Sequence, residues 1–165
     1  MENYKKLFKG FFYAFRGIFA TIKSERNMRI HLTCVTYMLG FLLFSDWFVL
    51  SKTDWALILL ACALVLAGEV FNTALEHTVN MFTSDYNELA KKAKDAASGA
   101  VLINAVFAVV IGIIVLFQPS AFAQMFEYFK SNPLMFALFV LSIVPATLFI
   151  FFGFGKPKNK SADKK

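Results

Sequence analysis

The sequence lacks the signatures of several common protein classes. Only two cysteines occur in 165 residues, and Cys34 and Cys62 form neither a CxxC pair nor a zinc-ligand spacing. The glycine-rich nucleotide signatures GxxxxGK and GxGxxG are absent, as are the protein-kinase motifs. The N-terminal segment is not a signal peptide, because Arg16 interrupts its apolar run and no small-residue cleavage site follows. A disulfide scaffold, a cysteine-ligated zinc protein and a soluble nucleotide-binding enzyme of known type are therefore disfavoured.

Apolar residues dominate what is present. They make up 58% of the chain, Phe alone occurs 21 times, and the mean hydropathy is +0.60. A disordered chain is poor in such residues, and so small a soluble domain cannot bury so much apolar surface. The net charge is +6, but the basic residues flank apolar runs, so they indicate membrane topology and not a nucleic-acid surface. The composition indicates a small polytopic membrane protein.

Charged residues fall in blocks between long uncharged stretches. These stretches predict four transmembrane helices, at about 29–48, 54–82, 97–117 and 133–154, because the backbone in lipid must satisfy its own hydrogen bonds. The Lys and Arg bias places the N-terminal block, the loop containing Lys91, Lys92 and Lys94, and the tail in the cytoplasm. The weakly charged loops 46–54 and 118–132 would lie outside. We expect an all-α membrane protein with both termini cytoplasmic.

The N-terminal segment is amphipathic. Apolar side chains recur at a 3.6-residue spacing from Leu7 to Ile22, and Lys5, Lys9 and Arg16 fall on the opposite arc. This pattern predicts a helix over residues 3–23 that lies in the cytoplasmic interface of the membrane.

Polar residues form a stripe along the second predicted span. At 100° per residue, one face carries Glu69, Asn72, Thr73, Glu76, Asn80 and Thr83. If the span begins near Asp54, Glu69 lies about 22 Å into a hydrocarbon core of about 30 Å. Carboxylates in this position suit cation binding, base catalysis, proton relay or polar contact between helices. The residues alone leave these alternatives open.

Other polar residues flank the spans. The predicted cytoplasmic turn carries Asp85, Tyr86, Asn87, Lys94 and Asp95, with Ser98 one turn beyond. Lys94 suits a phosphate and Asp95 a hydroxyl or metal, although solvated loops often carry such charges. Glu25 lies between the amphipathic helix and the first span. We interpret the isolated His31 and His77 as helix residues without a catalytic duty, and Asn104 as a contact between helices.

Three segments resemble the motifs of one family. Residues 68–76, Gly-Glu-Val-Phe-Asn-Thr-Ala-Leu-Glu, resemble the E-x-x-N-(S/T)-A-(I/L)-E signature of prokaryotic diacylglycerol kinases and undecaprenol kinases. Residues 93–101 resemble their A-K-D-x-(A/G)-(S/A)-(A/G)-A-V block. Residues 23–31 resemble an E-x-N-x-R-x-H segment in the form typical of the Gram-positive undecaprenol kinase branch. The motifs agree in order and spacing, and the resemblance covers about residues 5–118.

The resemblance implies a reaction and a set of roles. Members of the family are homotrimers of three-span protomers with shared active sites, and they transfer the γ-phosphate of ATP to a membrane lipid hydroxyl with Mg²⁺. By motif, Glu69 is the expected base, Asn72 lies beside it in the catalytic set, and Glu25 and Glu76 hold Mg²⁺. The lipid headgroup would meet Glu69 and Ser98. Nucleotide contacts would come from Lys6, Tyr13, Asp85, Tyr86, Asn87, Lys94 and Asp95.

Two features depart from the family pattern. Asn80 stands where the signature usually has Asp, and residues 119–165 follow the three-span core. We expect a kinase core at 1–118, an additional loop and fourth span at 119–155, and a basic cytoplasmic tail at 156–165, in a bacterial cell membrane. The expected substrate is undecaprenol. The alternatives are diacylglycerol as substrate, a non-enzymatic membrane protein with a degenerate site, and an ion or proton transporter that uses Glu69 and Glu76.

Overall fold

The structure is a computed structural model that describes residues 2–83 and 85–154. Within these residues it has six α-helices and no β-strand, which confirms the predicted all-α class. The helices are α1 (Glu2–Ser24), α2 (Arg26–Phe44), α3 (Lys52–Phe82), α4 (Glu88–Leu116), α5 (Pro119–Ser131) and α6 (Pro133–Phe152). The predicted basic tail, residues 156–165, lies outside the described part of the chain.

Three of these helices, α3, α4 and α6, are long and apolar enough to cross a membrane. The prediction of four spans is therefore confirmed for three. The remaining predicted span, at 29–48, forms α2, but the first two turns of this helix carry several polar residues, among them Arg26, Arg29 and His31. It also ends at Phe44, because Ser45 is extended and stops the helix.

The N-terminal segment forms the predicted helix. Along α1, Phe8, Phe11 and Phe15 expose more than half of their surface, and Thr21 is buried at the end next to α2. The apolar face of α1 is therefore not covered by other parts of the protein. Such an uncovered face is typical of a helix that lies in a membrane interface.

An antiparallel pair, α3 and α4, forms the centre of the fold. Ser51 and Asp54 close a capping box at the start of α3, so the first turn of this helix is well satisfied. Asn87 caps α4, its Oδ1 accepting from the backbone N–H groups of Leu89 and Ala90 at 2.9 and 3.1 Å. Because of this cap, α4 begins at Glu88 and not at 97, and the predicted loop of Lys91, Lys92 and Lys94 is helical.

The expectation of a loop at 118–132 was wrong, because this segment forms α5. Pro119 occupies the first turn of the helix, where a missing N–H costs nothing, and Phe122 packs against Phe48 and Phe117. The Gln118 side chain exchanges two hydrogen bonds of 3.1 Å with the backbone of Val49, which joins the α2–α3 connection to the end of α4.

The last helix, α6, packs antiparallel on α2. Arg29 Nε donates to the carbonyl oxygen of Ile150 at 3.0 Å, and the hydroxyls of Tyr37 and Ser142 lie 2.8 Å apart. Farther along, the rings of Phe41 and Phe139 make an edge-on contact at 5.4 Å. In consequence, the C-terminus of α6 and the α1–α2 junction lie at the same end of the molecule.

Candidate active site

The buried carboxylate of Glu69 is the centre of the polar stripe. Glu69 is 3% exposed, and its Oε1 lies 3.3 Å from Nε2 of His31 on α2. One turn on, the hydroxyl of Thr73 donates to the backbone oxygen of Glu69 at 2.9 Å. A carboxylate so deep in a membrane helix needs a polar partner, and the imidazole supplies one.

His31 is the functional candidate that sequence reasoning missed. Its only sequence signal was its place in the segment E-x-N-x-R-x-H, since an isolated histidine usually has no catalytic role. The contact with Glu69 depends on how α2 packs against α3, which no local pattern reveals. By contrast, Asn104 was interpreted correctly as a contact between helices, because its Nδ2 donates to Leu64 of α3 at 3.1 Å.

The next polar pair on the stripe is Asn72 with Glu76. Asn72 Nδ2 donates to Glu76 Oε1 at 2.9 Å, which is the i,i+4 geometry of neighbours on one helix face. Asn72 Oδ1 is buried and has no hydrogen-bond partner within residues 2–83 and 85–154. A buried acceptor of this kind normally has a partner, so it points to a ligand that supplies a donor or a cation.

The oxygen atoms of this pair suit Mg²⁺. Mg²⁺ prefers oxygen ligands and is usually held by one or two carboxylates together with substrate phosphates. Glu76 provides a half-buried carboxylate and Asn72 the unpartnered oxygen. Across the described residues no three His, Cys, Asp or Glu side chains form a metal-binding group, so the pair would depend on ligands from elsewhere to complete the coordination.

Glu25 lies at the junction of α1 and α2. It is half-buried, it is the only residue between the two helices, and its side chain makes no capping hydrogen bond to α2. Its backbone N–H donates to Thr21 of α1 at 2.8 Å, and its own backbone is extended, so the chain bends at this residue. The carboxylate therefore remains available for a ligand.

A polar cavity of about 740 Å³ lies where α3 turns into α4. Lys94 and Asn80 meet inside it, with Lys94 Nζ donating to Asn80 Oδ1 at 2.7 Å. Of the predicted nucleotide-binding residues, this cavity brings together Asp85, Tyr86, Asn87, Lys94 and Asp95. Because Asn80 is neutral, this contact is not an ion pair, so the ammonium group of Lys94 can still bind a phosphate group.

The remaining predicted contacts are not gathered into this cavity. Lys6 and Tyr13 are exposed on α1, and Ser98 is exposed on α4, so none of the three lines the space around Asn80 and Lys94. Asn87 has a structural duty as well, because its side-chain oxygen caps α4. The structure thus places the predicted site residues in four groups: the stripe of Glu69, Asn72 and Glu76, the cavity, Glu25 at the α1–α2 junction, and the exposed positions.

The stripe leads from the buried carboxylate to the cavity. Glu69, Asn72, Glu76 and Asn80 lie on one face of α3, and the eleven-residue separation of Glu69 and Asn80 corresponds to about 16 Å of helix. Neighbouring members are one turn apart, and the last of them contacts Lys94. Such a row could bind an extended polyphosphate if a divalent cation offset the charge of its carboxylates.

Fold and site together define a multi-pass α-helical membrane protein with an acidic stripe that runs into a phosphate-compatible cavity. The sequence model of the family described as prokaryotic diacylglycerol kinase matches residues 12–116. The chain therefore belongs to this family, whose members are ATP-dependent kinases, and is a membrane lipid kinase. The matched region ends with α4, so α5 and α6 lie beyond it.

Individual relatives agree with this assignment. The chain is 40% identical over 112 residues to the undecaprenol kinase of Bacillus subtilis, which covers 67% of this chain and 87% of that protein. It is 38% identical over 115 residues to the diacylglycerol kinase of Synechocystis, which covers 68% of this chain and 63% of that protein. It is 29% identical over 116 residues to the diacylglycerol kinase of Escherichia coli, and this alignment covers 70% of this chain and 93% of that protein.

Proposed function

We propose that the protein phosphorylates undecaprenol, transferring the γ-phosphate of ATP to the hydroxyl of the lipid. The observation that carries the proposal is the buried Glu69 carboxylate, held by His31 at the deep end of a stripe whose other end meets Lys94. Undecaprenol is favoured over diacylglycerol by the E-x-N-x-R-x-H form of residues 25–31 and by the 40% identity to an undecaprenol kinase.

In this proposal Glu69 is the general base. Its carboxylate takes the proton of the lipid hydroxyl, and the lipid oxygen forms a bond to the γ-phosphorus. The bond from that phosphorus to the β–γ bridging oxygen breaks, and ADP leaves. Burial keeps water away from the carboxylate, so the lipid hydroxyl competes with little solvent for the phosphoryl group.

The other site residues bind and orient ATP. Lys94 would bind a phosphate in the cavity, and Asp85, Tyr86, Asn87 and Asp95 would surround the rest of the nucleotide. Glu76 and Glu25, with Asn72 Oδ1, would hold Mg²⁺, which offsets the charge that develops on the phosphate oxygens. Lys6 and Tyr13 of α1 and Ser98 of α4 would contribute from exposed positions to the nucleotide and the headgroup.

The proposal includes an arrangement in the membrane of a bacterial cell. We place α1 in the cytoplasmic interface and let α2, α3, α4 and α6 cross, with residues 1–118 as the kinase core and residues 119–155 as an addition. The shared end of the α1–α2 junction and the α6 C-terminus supports an even number of crossings. A homotrimer with shared active sites would bring the exposed Lys6, Tyr13 and Ser98 close to a stripe.

Labelled phosphate transfer tests the function. Purified protein is given ATP labelled in the γ-phosphate, Mg²⁺ and either undecaprenol or diacylglycerol in detergent micelles. We expect label in undecaprenol, and loss of at least about 100-fold of the rate in Glu69→Gln, because the base is gone while the shape is kept. Glu127→Gln makes the same chemical change on α5, where the exposed Glu127 carboxylate pairs with Lys130, and should keep full activity.

Each outcome has a definite meaning. Preferential labelling of diacylglycerol would show that the substrate is diacylglycerol and not undecaprenol. A fully active Glu69→Gln variant would show that Glu69 is not the general base. Label in neither lipid, from a folded sample, would leave the non-enzymatic alternative for this family member.

A further inference from the structure

The buried guanidinium of Arg29 ties three helices together. Arg29 is 6% exposed and lies on the first turn of α2. Its Nη1 donates to the carbonyl oxygens of Ile22 and Lys23 at 3.0 and 3.1 Å, and its Nε donates to Ile150 of α6 at 3.0 Å. The side chain thus reaches back across the α1–α2 bend and forward to the last span.

The charge of Arg29 is balanced by the ends of two helices. The carbonyls of Ile22 and Lys23 belong to the last turn of α1, and that of Ile150 to the last turn of α6. The C-terminus of a helix carries a partial negative charge and leaves carbonyls without intrahelical partners. A cation buried between two such ends is stabilised only while both remain in place.

The turn that ends α6 lies directly against the guanidinium of Arg29. Gly153 has a φ of +58°, and a Cβ built on it would lie 3.4 Å from both Cζ and Nη1 of Arg29. The next residue, Phe154, stacks its ring on Phe19 of α1 at 5.4 Å. A side chain at residue 153 would be strained by its φ and would lie in contact with the guanidinium.

We propose that this junction, here called the α6 clamp (Arg29, Ile150, Gly153 and Phe154), positions the α1–α2 bend and with it Glu25. The clamp residues 150, 153 and 154 lie beyond the region matched by the family, so this chain has added a span that takes part in setting its site. The inference rests on the proposed role of Glu25 in holding Mg²⁺. Arg29 and Gly153 are positioning residues in this scheme, since neither touches a reacting atom.

The clamp explains how a single residue can be held between two helices. Glu25 alone connects α1 to α2, so any change in the angle of α1 moves its carboxylate. Arg29 restrains that angle from α2, and Phe154 restrains it from α6 through Phe19. Removing either restraint should loosen the bend without changing the buried pair of Glu69 and His31.

The test compares Gly153→Ala and Arg29→Gln with Leu148→Ala, which alters a half-exposed side chain on the same helix. Undecaprenol phosphorylation is measured against Mg²⁺ concentration, and the KM for the lipid is measured separately. We expect both clamp variants to raise the Mg²⁺ requirement, by about 10-fold for Arg29→Gln, as for other residues that support a metal ligand, with an unchanged lipid KM. Leu148→Ala should match the wild type.

A second readout does not depend on activity. Lys23 and Arg26 are exposed on either side of Glu25, so trypsin reports how firmly the bend is held. In detergent, we expect cleavage at these two residues to be faster in both clamp variants and unchanged in Leu148→Ala. Fragment masses separate these cuts from cleavage elsewhere.

The outcomes separate the two proposals. Folded clamp variants with a wild-type Mg²⁺ titration would overturn the clamp, whether or not trypsin cleavage changed. Should Arg29→Gln fail to fold, Gly153→Ala decides alone, since it removes no hydrogen-bond donor. A wild-type protein without activity on either lipid would overturn the proposed function and the metal-positioning role together.

Discussion

At the scale of the residue, the contact between His31 and Glu69 makes a sharp prediction. Replacing His31 by Ala leaves the buried carboxylate without its partner at 3.3 Å, so the carboxylate loses its fixed orientation. We expect kcat to fall between about 10- and 100-fold, the cost of a small misplacement of a catalytic group, with little change in the KM for ATP. Steady-state kinetics with undecaprenol measure both constants.

The second histidine provides the control for this prediction. His77 lies on the same helix as Glu69 but is exposed, so His77→Ala should keep the wild-type kcat. Equal losses in the two variants would show that His31 has no special relation to Glu69.

Asn80 leads to a prediction at the other end of the stripe. Asn80→Asp would place a carboxylate against Lys94 Nζ, where the neutral amide oxygen now lies at 2.7 Å. The new ion pair would compete with phosphate for the ammonium group, and an exposed pair of this kind is worth up to about 1 kcal/mol. We therefore expect the KM for ATP to rise about 2- to 5-fold, less at high salt, since mobile ions screen exposed charges.

An ATP titration at low and at high ionic strength checks this prediction. The KM for the lipid serves as the internal control and should not move, because the cavity is about 16 Å along α3 from Glu69. A lower KM for ATP in the variant would contradict the view that Lys94 is a phosphate ligand.

The sequence could predict which polar residues of α3 share one helix face, but not the contacts that they make with other helices. Glu69, Asn72 and Glu76 follow from helix periodicity, because neighbours three and four residues apart share a face. The pairing of Glu69 with His31 and of Lys94 with Asn80 requires the packing of separate helices, so it is visible only in three dimensions.

At the scale of the element, the α3–α4 pair depends on a close approach at Gly68. A Cβ on Gly68 would lie 3.0 Å from Nδ2 of Asn104, which is already bonded to Leu64. Overpacking of this kind costs typically about 1–3 kcal/mol, more than the roughly 1 kcal/mol that Ala gains over Gly in a helix. Gly68→Ala should therefore lower the melting temperature measured in detergent.

Gly112 of α4 provides the matched control. A Cβ there meets nothing within 4 Å, so Gly112→Ala should keep the helix gain and leave the melting temperature equal or higher. A Gly68→Ala protein as stable as Gly112→Ala would mean that the helices can separate slightly at no cost.

The elements were predictable where one local signal dominated. The long apolar runs of α3 and α6 gave their positions within about two residues, and the amphipathic pattern gave α1. The start of α4 was misplaced because the prediction followed the uncharged run and took the lysines after the Asn87 cap as a loop. The helix α5 was missed because its thirteen residues are too few for a membrane span. The early end of α2 reflects the extended turn at Ser45, which the apolar pattern ignores.

At the scale of the whole molecule, the proposed topology can be read with reporters. A reporter fused after Lys165 should be cytoplasmic, because the α6 C-terminus lies beside the α1–α2 junction and the basic residues near both favour the inner side. A reporter fused after Asn132, between α5 and α6, should appear outside. The same location for both reporters would mean that α6 does not cross.

The helices differ in length in a way that matters for the depth of the protein in the bilayer. The 20 residues of α6 span about 30 Å, the thickness of a typical hydrocarbon core, whereas the 31 residues of α3 span about 46 Å. Because Arg29 joins the end of α6 to the first turn of α2, the length of α6 would determine how far α3 and α4 extend beyond the hydrocarbon core in the proposed topology. In the proposed topology the cavity at the α3–α4 turn would then extend into water, while Glu69, the proposed general base, would lie level with the lipid hydroxyl. A bilayer of different thickness would tilt α6, and Glu69 and the cavity at the α3–α4 turn would then shift together relative to the membrane surface.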